Sequence, residues 1–386
     1  MMSNSKRRKK GSRPKTNETS NNAAPAQLPL PITKQPAAPL VLSRHLAPAL
    51  VTEVYDTYWR FAAERQQIFF RRVAENNLPV TKDPILSEYK FTNAYRASDR
   101  VSQYLIRNVI YRPDLPASAD ELFFRIILFK LFNKIETWQL LEKKLGAITL
   151  SDYSYKHYDK ILMEAKSSKA RIYSAAYIMP PGGTKFGQKY KHQNHLKLLE
   201  LMIKNELPAK LADAGSMQQG FELIRAYPTI GDFLAYQYIT DVNYSPLTDF
   251  SEMEFVVPGP GARDGLRKCF ADTGGLSDPE LIRLMADRQE KEFDRLELSF
   301  PSLWGRRLQL IDCQNLFCEV DKYSRVAHPQ ILGITGRTRI KQKFSSSTQK
   351  IEFWYPPKWK INSNIASASI PNEAYAIETN YPGGSL

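Results

Sequence analysis

The stretch Tyr227-Pro-Thr-Ile-Gly-Asp-Phe-Leu-Ala-Tyr-Gln-Tyr-Ile-Thr-Asp241 decides how the fold of this chain is interpreted. Apolar residues at helical spacing flank its Pro-x-x-Gly turn on both sides, which predicts a helix, a tight hairpin and a second helix. Gly231 is expected to supply the positive φ or the close backbone approach that such a hairpin needs. Backbone N–H groups at the start of the second helix would then bind a phosphate without reading sequence. The alternative is an ordinary packing corner between two helices.

Segments with the apolar period of a helix fill most of the chain and predict a mainly α fold. No alternation of strands and helices suggests a parallel sheet. We expect a disordered tail over 1–48, a helical domain over 49–334 with its hairpin at 227–233, and an extension over 335–386 that adds short strands or wraps the body. The predicted helices cover 51–73, part of 89–107, 119–132, 135–145, 151–166, 192–207, 217–227, 264–270, 278–296 and 308–323. The very apolar segment 119–132 should be central.

Basic residues are concentrated at the N-terminus. The chain has a formal charge of +14, and residues 1–48 hold nine Lys or Arg residues against one acidic residue, Glu18. This segment is also rich in Ser, Asn, Ala and Pro, which predicts disorder. The run Lys6-Arg-Arg-Lys-Lys10 suits attachment to a polyanion by counterion release, although a solubilising tail without a specific partner has the same composition.

Several classes of protein are disfavoured by composition. No apolar stretch reaches the roughly 18 residues of a membrane helix, and nothing resembles a signal peptide, so we expect a cytoplasmic protein with no membrane partner. Cys269, Cys313 and Cys318 are too few for a disulfide framework. Buried free thiols are commoner than a metal site made by Cys313 and Cys318 with His192 or His195, so we predict no metal and no bound cofactor.

A Gly-rich basic loop spans residues 180–191. Two of its glycines have the spacing of a phosphate-binding loop, but Gln188 and Lys189 replace the Lys and the Ser or Thr that the nucleotide-binding motif requires. We therefore reject a nucleoside triphosphate P-loop. Two interpretations of the loop stay open. Lys185, Lys189 and Lys191 contact DNA phosphates, or they are only solvated surface charges.

A candidate catalytic residue follows the hairpin. The rigid Pro-Gly-Pro-Gly turn at 258–261 is expected to place Asp264 at the start of a helix over 265–270, where the helix dipole stabilises a carboxylate. An Asp at this position is equally typical of a structural N-cap. The spacing alone therefore leaves both roles open.

The hairpin followed by an Asp at a helix start resembles the helix-hairpin-helix DNA glycosylase superfamily. There, a Leu-Pro-Gly-x-Gly hairpin grips DNA, and a downstream Asp faces the flipped nucleotide. Pro228, Ile230 and Gly231 match this hairpin, Thr229 replaces its first glycine, and the Asp maps onto Asp264. No Lys closely follows Gly231, and the loop before Asp264 is enlarged. The resemblance implies a related fold and DNA contacts by Thr229, Ile230 and Gly231, without Schiff-base lyase chemistry.

A second resemblance extends over nearly the whole body, from about residue 55 to residue 359. It rests on Tyr89-Lys-Phe-Thr-Asn-Ala-Tyr-Arg-Ala-Ser-Asp-Arg100, Leu128-Phe-Lys-Leu-Phe-Asn-Lys-Ile-Glu-Thr-Trp138, Asn243-Tyr-Ser-Pro-Leu-Thr-Asp-Phe-Ser-Glu-Met-Glu254 and Leu310-Ile-Asp-Cys-Gln-Asn-Leu-Phe-Cys-Glu-Val-Asp-Lys322. These phrases are similar to DNA base hypermodification proteins with the helical domain of 5-hydroxymethyluracil DNA kinase, also described as glutamyl/putrescinyl thymine pyrophosphorylases. The resemblance implies work on a thymine-derived base in DNA, after its hydroxymethyl group has been phosphorylated or pyrophosphorylated.

This implied chemistry gives roles to several residues. Displacing phosphate from the C5 methylene develops positive charge on carbon and negative charge on the leaving group. Asp264 would stabilise the carbon or deprotonate an incoming amine, while Arg263, Arg267 or Lys268 would stabilise the departing phosphate.

A base pocket is predicted in the segment around residue 95, formed by Asn93, Tyr95, Arg96 and Asp99. Asn93, Tyr95 and Arg96 are candidates for contacting an extruded pyrimidine, since an amide can hydrogen-bond a base and a ring can stack on it. Arg96, Asp99 and Arg100 have the spacing of one helix face, which also suits a surface ion-pair network. Polar residues of the last predicted helix would either orient the base-pocket side chains or be only solvated. They are Asp312, Asn315, Glu319 and Asp321.

Three functions stay open. The favoured one is a transferase or kinase-associated enzyme of base hypermodification, acting on double-stranded DNA that carries a modified thymine, with a nucleotide or amine as co-substrate. Because the chain lacks its own P-loop, a separate P-loop kinase is a candidate partner. The alternatives are a glycosylase that removes a modified pyrimidine and a non-catalytic module that binds modified DNA.

Overall fold

The computed structural model describes residues 47–74, 81–175, 179–345 and 352–367, and these residues are mainly α-helical, as the sequence predicts. Residues 1–46, nearly all of the predicted disordered tail, lie outside the described residues. The helices are α1 (Glu53–Val73), α2 (Pro84–Glu88), α3 (Arg100–Leu105), α4 (Ala119–Phe132), α5 (Ile135–Leu145), α6 (Tyr155–Ser167), α7 (Gly183–Phe186), α8 (Lys191–Lys204), α9 (Leu207–Ala212), α10 (Met217–Arg225), α11 (Asp232–Val242), α12 (Pro260–Cys269), α13 (Asp278–Arg295), α14 (Leu310–Ala327) and α15 (Asn362–Ser367). Strands β1 (Leu50–Val51) and β2 (Phe270–Asp272) pair antiparallel.

Helix α4 lies at the centre of the core, as predicted for segment 119–132. Its side chains from Glu121 onward are buried around the whole helix, and α8, α9 and α11 pack against it. A helix that is apolar on all sides is stable only when neighbours surround it. Its ends are well defined, because the Ser118 side chain accepts a hydrogen bond from the Glu121 N–H and Asn133 terminates the helix in a left-handed conformation.

Helices α12 and α14 pack with their backbones in contact. A Cβ atom at Gly261 would overlap Cys318 Sγ, and a Cβ atom at Gly265 would overlap the backbone carbonyl of Phe317. Further along the contact, Lys268 Nζ lies 3.0 Å from Asp321 Oδ1, and both side chains are buried. Glycine is therefore required at residue 265, where a Cβ atom would meet backbone, and Gly261 one helical turn earlier leaves room for the Cys318 side chain.

We expect Gly265→Ala to lower the free energy of unfolding by about 3 kcal/mol, because the added methyl group can only be fitted by moving one helix backbone away from the other. Denaturant unfolding followed by circular dichroism measures this change. Gly183→Ala in α7 is the matched control, since its Cβ would have its nearest neighbour at 4.0 Å. Equal stability of the two variants would contradict the backbone contact.

The predicted hairpin joins α10 to α11, so the order of helix, turn and helix is confirmed. Its backbone differs from the prediction, because Gly231 has φ −91° and Thr229 has φ 71°. Of the two roles expected for Gly231, the positive φ is therefore wrong. Thr229 supplies it, and a β-branched residue is strained in that region. Its buried hydroxyl also has no hydrogen-bond partner among the described residues.

Thr229→Gly should raise the free energy of unfolding by about 1 kcal/mol, because glycine adopts the left-handed conformation without the clash of a Cβ atom. Thermal unfolding would show the gain as a higher Tm. Thr229→Ala separates the two sources of strain, since it removes the unpaired hydroxyl and keeps the Cβ atom. A gain in Thr229→Ala as large as that in Thr229→Gly would mean that the backbone conformation costs nothing.

The helix predicted for part of residues 89–107 is present, but it begins only at Arg100. A 3₁₀ segment at Arg96–Ser98 precedes the short helix α3, which continues into a π-helical turn at Ile106–Ile110. Asp99 interrupts the helical path with φ −70° and ψ 145°. The Arg96 side chain instead enters the core to reach Asp241, a contact between distant segments that local spacing does not reveal.

The described part of the C-terminal extension wraps the body. Lys343 forms an isolated antiparallel bridge with Tyr89, and the Lys90 N–H donates to the Gln342 carbonyl at 3.0 Å. Residues 368–386 lie outside the described residues. In the part of the chain that the structure describes, no helix has both the length and the apolarity to cross a membrane.

All three cysteines are free, and none is fully exposed. Burial raises the pKa of the Cys313 and Cys318 thiols to about 12, and it raises the pKa of Cys269 as well. These thiols therefore stay protonated at neutral pH.

Candidate functional site

A cleft of about 640 Å³ lies where several separate segments of the chain meet. Its walls come from segment 90–102, the end of α4 and the start of α5, residues 171–175, the N-terminus of α12, and α14. A cavity of this size fits a ligand as large as a nucleotide. Basic side chains predominate in its lining, with Lys90, Arg96, Arg100, Lys130, Lys134, Arg171 and Lys322 against Asp99, Glu136 and Glu319.

A buried ion cluster forms the floor of the cleft. Arg96 Nη1 lies 2.8 Å from Asp241 Oδ1, and Lys130 Nζ lies 3.0 Å from Asp241 Oδ2. Arg96 also donates hydrogen bonds to Gln237 Oε1 at 3.1 Å and to the Tyr244 hydroxyl at 2.9 Å. Burial alone would raise the pKa of Asp241, but the two cations hold that pKa below its usual value. One carboxylate thus faces two basic side chains, and burial lowers the pKa of Lys130.

Asp99 is the carboxyl group in the cleft whose ionisation is most disturbed. Its Oδ1 accepts a hydrogen bond from the Asn93 backbone N–H at 2.8 Å, and no basic side chain hydrogen-bonds it among the described residues. Burial raises the pKa of Asp99 to about 7, and the nearby Glu319 adds to the rise. A carboxyl group with this pKa can accept or donate a proton at neutral pH, as a general base or acid must.

Glu319, a second carboxylate in the cleft, is engaged in structural contacts. Its Oε2 accepts hydrogen bonds from Lys322 Nζ at 2.6 Å and from the Thr92 backbone N–H at 3.1 Å. These contacts fix segment 90–92 against α14. Glu319 is thus paired with a cation, whereas Asp99 is not.

The N-terminus of α12 opens into the cleft. Gly259 is its N-cap and Pro260 its first residue, and no side chain caps the helix. Proline has no N–H, so the first donors are those of Gly261 and Ala262, and neither bonds to another described residue. The predicted helix start at residue 265 is wrong, because the proline begins the helix earlier and leaves Asp264 in its middle.

The three residues predicted as catalytic do not line this cleft. Asp264 is 1 % exposed, and its carboxylate accepts hydrogen bonds from the backbone N–H of Thr335, at 2.9 Å, and from the Thr335 hydroxyl. Arg263 and Arg267 lie 3.7 Å and 3.2 Å from the carboxylate oxygens of Asp278. The catalytic role of Asp264 stays a prediction, but its position suits a structural contact between α12 and the segment that follows α14.

Two of the four predicted base-pocket residues, Arg96 and Asp99, line the cleft. The Asn93 side chain instead accepts a hydrogen bond from Arg65 at 3.0 Å and so supports the segment behind Asp99. The Tyr95 ring is buried, and its hydroxyl donates to the backbone carbonyl of Arg306 at 2.6 Å. Base recognition by these residues stays a prediction.

The predicted DNA-binding segments lie together at one edge of the cleft. A Cβ atom at Gly182 would lie 3.5 Å from Thr229 Cγ2, so the Gly-rich loop touches the hairpin. Lys191 Nζ lies 4.4 Å from the centre of the Tyr173 ring, and both Tyr173 and Phe233 line the cleft. The hairpin and the basic loop therefore contact each other and adjoin residues that line the cavity.

The individual residues of this edge differ in exposure. Lys185, Lys189 and Gly231 are exposed and accessible to a partner, whereas the Ile230 side chain is 6 % exposed and packs inward. DNA binding by these residues stays a prediction, and Ile230 can contribute only through its backbone.

The sequence analysis did not identify Lys130, Asp241 or Gln314 as residues of the site. Lys130 offered a signal, since a lone cation inside the apolar segment 119–132 requires a buried partner. That partner is Asp241, the last residue of the stretch 227–241 from which the hairpin was predicted. Gln314 offered none, because a single amide on an amphipathic helix is usually a surface residue.

The two buried histidines are engaged by other side chains and by backbone. His192 Nε2 lies 2.8 Å from Asp159 Oδ1, and the ring nitrogens of His195 lie 2.8 Å from the Tyr173 hydroxyl and from the Pro180 carbonyl. Among the described residues, no three His, Cys, Asp or Glu side chains are grouped as a metal site requires.

Comparison with known proteins gives one family and one curated relative. The family described as "5-hmdU DNA kinase, helical domain" matches residues 52–333. The chain is 25 % identical over 286 residues to the 5-hmdU DNA kinase of Bacillus phage SP10, an alignment that covers 70 % of this chain and 45 % of the relative. The chain thus spans less than half the length of that relative. No solved structure matches it.

Proposed function

Because the chain belongs to the family of the 5-hmdU DNA kinase helical domain, we propose that it acts in DNA base hypermodification, on thymine-derived bases that carry a 5-hydroxymethyl group or its phosphorylated form. The proposed activity is group transfer at the C5 substituent, with a nucleotide or an amine as co-substrate. A separate P-loop kinase is the proposed source of a phosphoryl group. The 5-hmdU DNA kinase activity for which the phage relative is named supports the substrate class.

The observation that carries this proposal is the basic cleft with Asp99 in its wall. A cavity of about 640 Å³ has room for an extruded pyrimidine nucleotide, and its excess of basic side chains favours phosphates. Group transfer to the C5 substituent has a hydroxyl or amine nucleophile that must lose a proton as it attacks. Asp99, with a pKa of about 7, is the proposed acceptor of that proton.

The hairpin and the basic loop supply the proposed grip on DNA. Both adjoin residues that line the cleft, and we propose that the exposed backbone around Gly231 and the side chains of Lys185, Lys189 and Lys191 follow a phosphodiester chain. Such contacts hold the duplex without reading its sequence, while the cleft would select the modified base.

The test is nucleoside analysis by mass spectrometry after incubating the chain with duplex DNA that contains 5-hydroxymethyluracil, a nucleoside triphosphate and an amine, with and without a P-loop kinase. We expect a new hypermodified nucleoside, and we expect Asp99→Asn to lose it. Abasic sites would instead indicate a glycosylase. Unchanged DNA that still binds the protein would indicate a non-catalytic binding module.

A further inference from the structure

A second cavity, of about 280 Å³, lies against one face of α1. Arg65, Ile68 and Arg72 line it from that helix, at positions i, i+3 and i+7 that share a side. Phe91 lines both this cavity and the cleft, so the two are neighbours along the segment around residue 91. The proposed function gives this cavity no role.

Arg65 brings a buried charge to the wall of this cavity. Its side chain is 6 % exposed, and its Nε and Nη2 donate hydrogen bonds to the Thr92 carbonyl at 2.9 Å and to Asn93 Oδ1 at 3.0 Å. Its Nη1 bonds to no other described residue and is not fully enclosed by protein. Burial, and after it the nearby Arg72, lower the pKa of Arg65 to about 10, so the group stays charged at neutral pH. Arg65 therefore has N–H donors left for a ligand.

Arg72 adds a second cation to the same cavity. It forms no hydrogen bond or ion pair with a described residue, and its guanidinium carbon lies 4.8 Å from the centre of the Phe344 ring. The nearby carboxylate of Glu64 is already engaged, by Arg71 Nη1 at 3.1 Å and by the Thr81 hydroxyl at 2.6 Å. No carboxylate of the described residues lines the cavity. Two like charges thus repel each other at one partly enclosed site, and a bound anion would relieve that repulsion.

We propose that this cavity binds the phosphate group of a nucleotide between Arg65 and Arg72. Two guanidinium groups match the two negative charges of a phosphate monoester better than the single charge of a carboxylate, and their planar N–H pairs suit phosphate oxygens. The rest of the wall is mainly apolar and suits a sugar or a base. It includes Ile68, Leu86, Tyr89, Phe91 and Phe344. The choice of a nucleotide rests on the proposed function, whereas the anion site itself rests on the two arginines.

The Arg65 side chain connects this cavity to the wall of the cleft. The same guanidinium group that would hold the phosphate also donates to the Asn93 side chain, and the Asn93 backbone N–H donates to Asp99 Oδ1 at 2.8 Å. A phosphate bound to Arg65 would therefore help to hold the segment that carries Asp99. The nucleotide in this cavity would lie beside the cleft, where it could not take the place of the extruded base.

The phosphate belongs either to a free nucleotide or to DNA, and two measurements distinguish these sources. Isothermal titration with thymidine 5′-monophosphate tests the first, and fluorescence anisotropy with a 5-hmdU duplex tests the second. We expect Arg72→Gln to weaken one of the two affinities about tenfold or more, because it removes hydrogen bonds to a charged ligand. Ser87→Glu, which adds negative charge at an exposed position of the wall, should weaken it at least as much. Arg60→Gln is the matched control, since it removes the same charge from α1 outside both cavities.

Each outcome has one meaning. Weaker binding of the monophosphate assigns the cavity to a free nucleotide, and weaker binding of the duplex assigns it to DNA. Unchanged affinities in Arg72→Gln, no binding of either probe to the wild type, or equal binding of thymidine and its monophosphate overturn the proposal. Because Arg72 has no hydrogen bond to lose, we expect Arg72→Gln to keep a Tm close to that of the wild type, which excludes misfolding. Loss of monophosphate binding in Arg72→Gln, with no modified nucleoside formed by the wild type, would keep this site and reject the proposed function.

Discussion

Asp241→Asn is expected to lower the free energy of unfolding by about 4 kcal/mol, because it leaves Arg96 and Lys130 buried without a counter-charge. Both cations are almost fully buried, so neither can regain water without opening the floor of the cleft. Denaturant unfolding at neutral pH measures the loss. Since the pKa of Asp241 is lowered, its contribution is present above the usual pKa of an Asp and disappears as the pH falls below that value.

Two further variants test the cause of this loss. Asp232→Asn removes an exposed carboxylate from the same helix, where it pairs with Arg225, and should change stability by no more than about 0.5 kcal/mol. Adding Lys130→Met to Asp241→Asn should recover part of the loss, since one unmatched cation is then gone. If Asp241→Asn and Asp232→Asn unfolded at the same denaturant concentration, the ion cluster would have no role in stability.

Asp99→Asn should reduce the rate of base modification by about 10²- to 10⁴-fold, the usual contribution of a general base. The Asn side chain can still accept the hydrogen bond from the Asn93 N–H, so the fold should be retained. In the wild type, the rate should rise with pH and level off above about 7, as Asp99 loses its proton. Single-turnover rates over pH 5 to 9 would show this profile, and the variant should lack it.

The same variant also has an expected effect on stability. The folded-state pKa of Asp99, about 7, lies above the value of about 3.9 for an unfolded Asp. Between these values the folded protein holds more protons, so the free energy of unfolding falls as the pH rises. Asp99→Asn removes this dependence on pH. As the pH rises past 7, the free energy of unfolding of the variant should therefore exceed that of the wild type.

Matched carboxylate variants show whether the effect belongs to Asp99. Glu136→Gln removes an exposed carboxylate from the same cleft and should leave the pH profile in place. Asp264→Asn tests the sequence-based assignment and should mainly weaken the contact with Thr335. A rate loss in Asp264→Asn that exceeds the loss in Asp99→Asn, without loss of stability, would return the catalytic role to Asp264.

Much of the helical body could be predicted from the sequence, because apolar period and capping residues act locally. The ends of α4 and α5 agree with prediction, since Ser118 caps the first and left-handed or glycine residues end both. Failures occurred where long-range contacts dominate. Within residues 89–107, the helix begins only after Asp99, because the core holds the Arg96 side chain.

The candidate site was only partly predictable for the same reason. Its residues come from segments more than 200 positions apart, so no local spacing shows that Asp99 and Gln314 share a cavity. The Pro-Gly-Pro-Gly turn correctly indicated a rigid entry into a helix. It misplaced the start, because Pro260 is itself the first helical residue and the glycines after it serve the contact with α14.

The protonated thiols described above have a practical consequence for following the protein in solution. Maleimide and related reagents attack thiolates, and the raised pKa values of Cys269, Cys313 and Cys318 leave little thiolate at neutral pH. A cysteine introduced at the exposed Lys185 would then be labelled selectively on the otherwise native chain. A fluorophore attached there would sit beside the hairpin and report the approach of a labelled duplex.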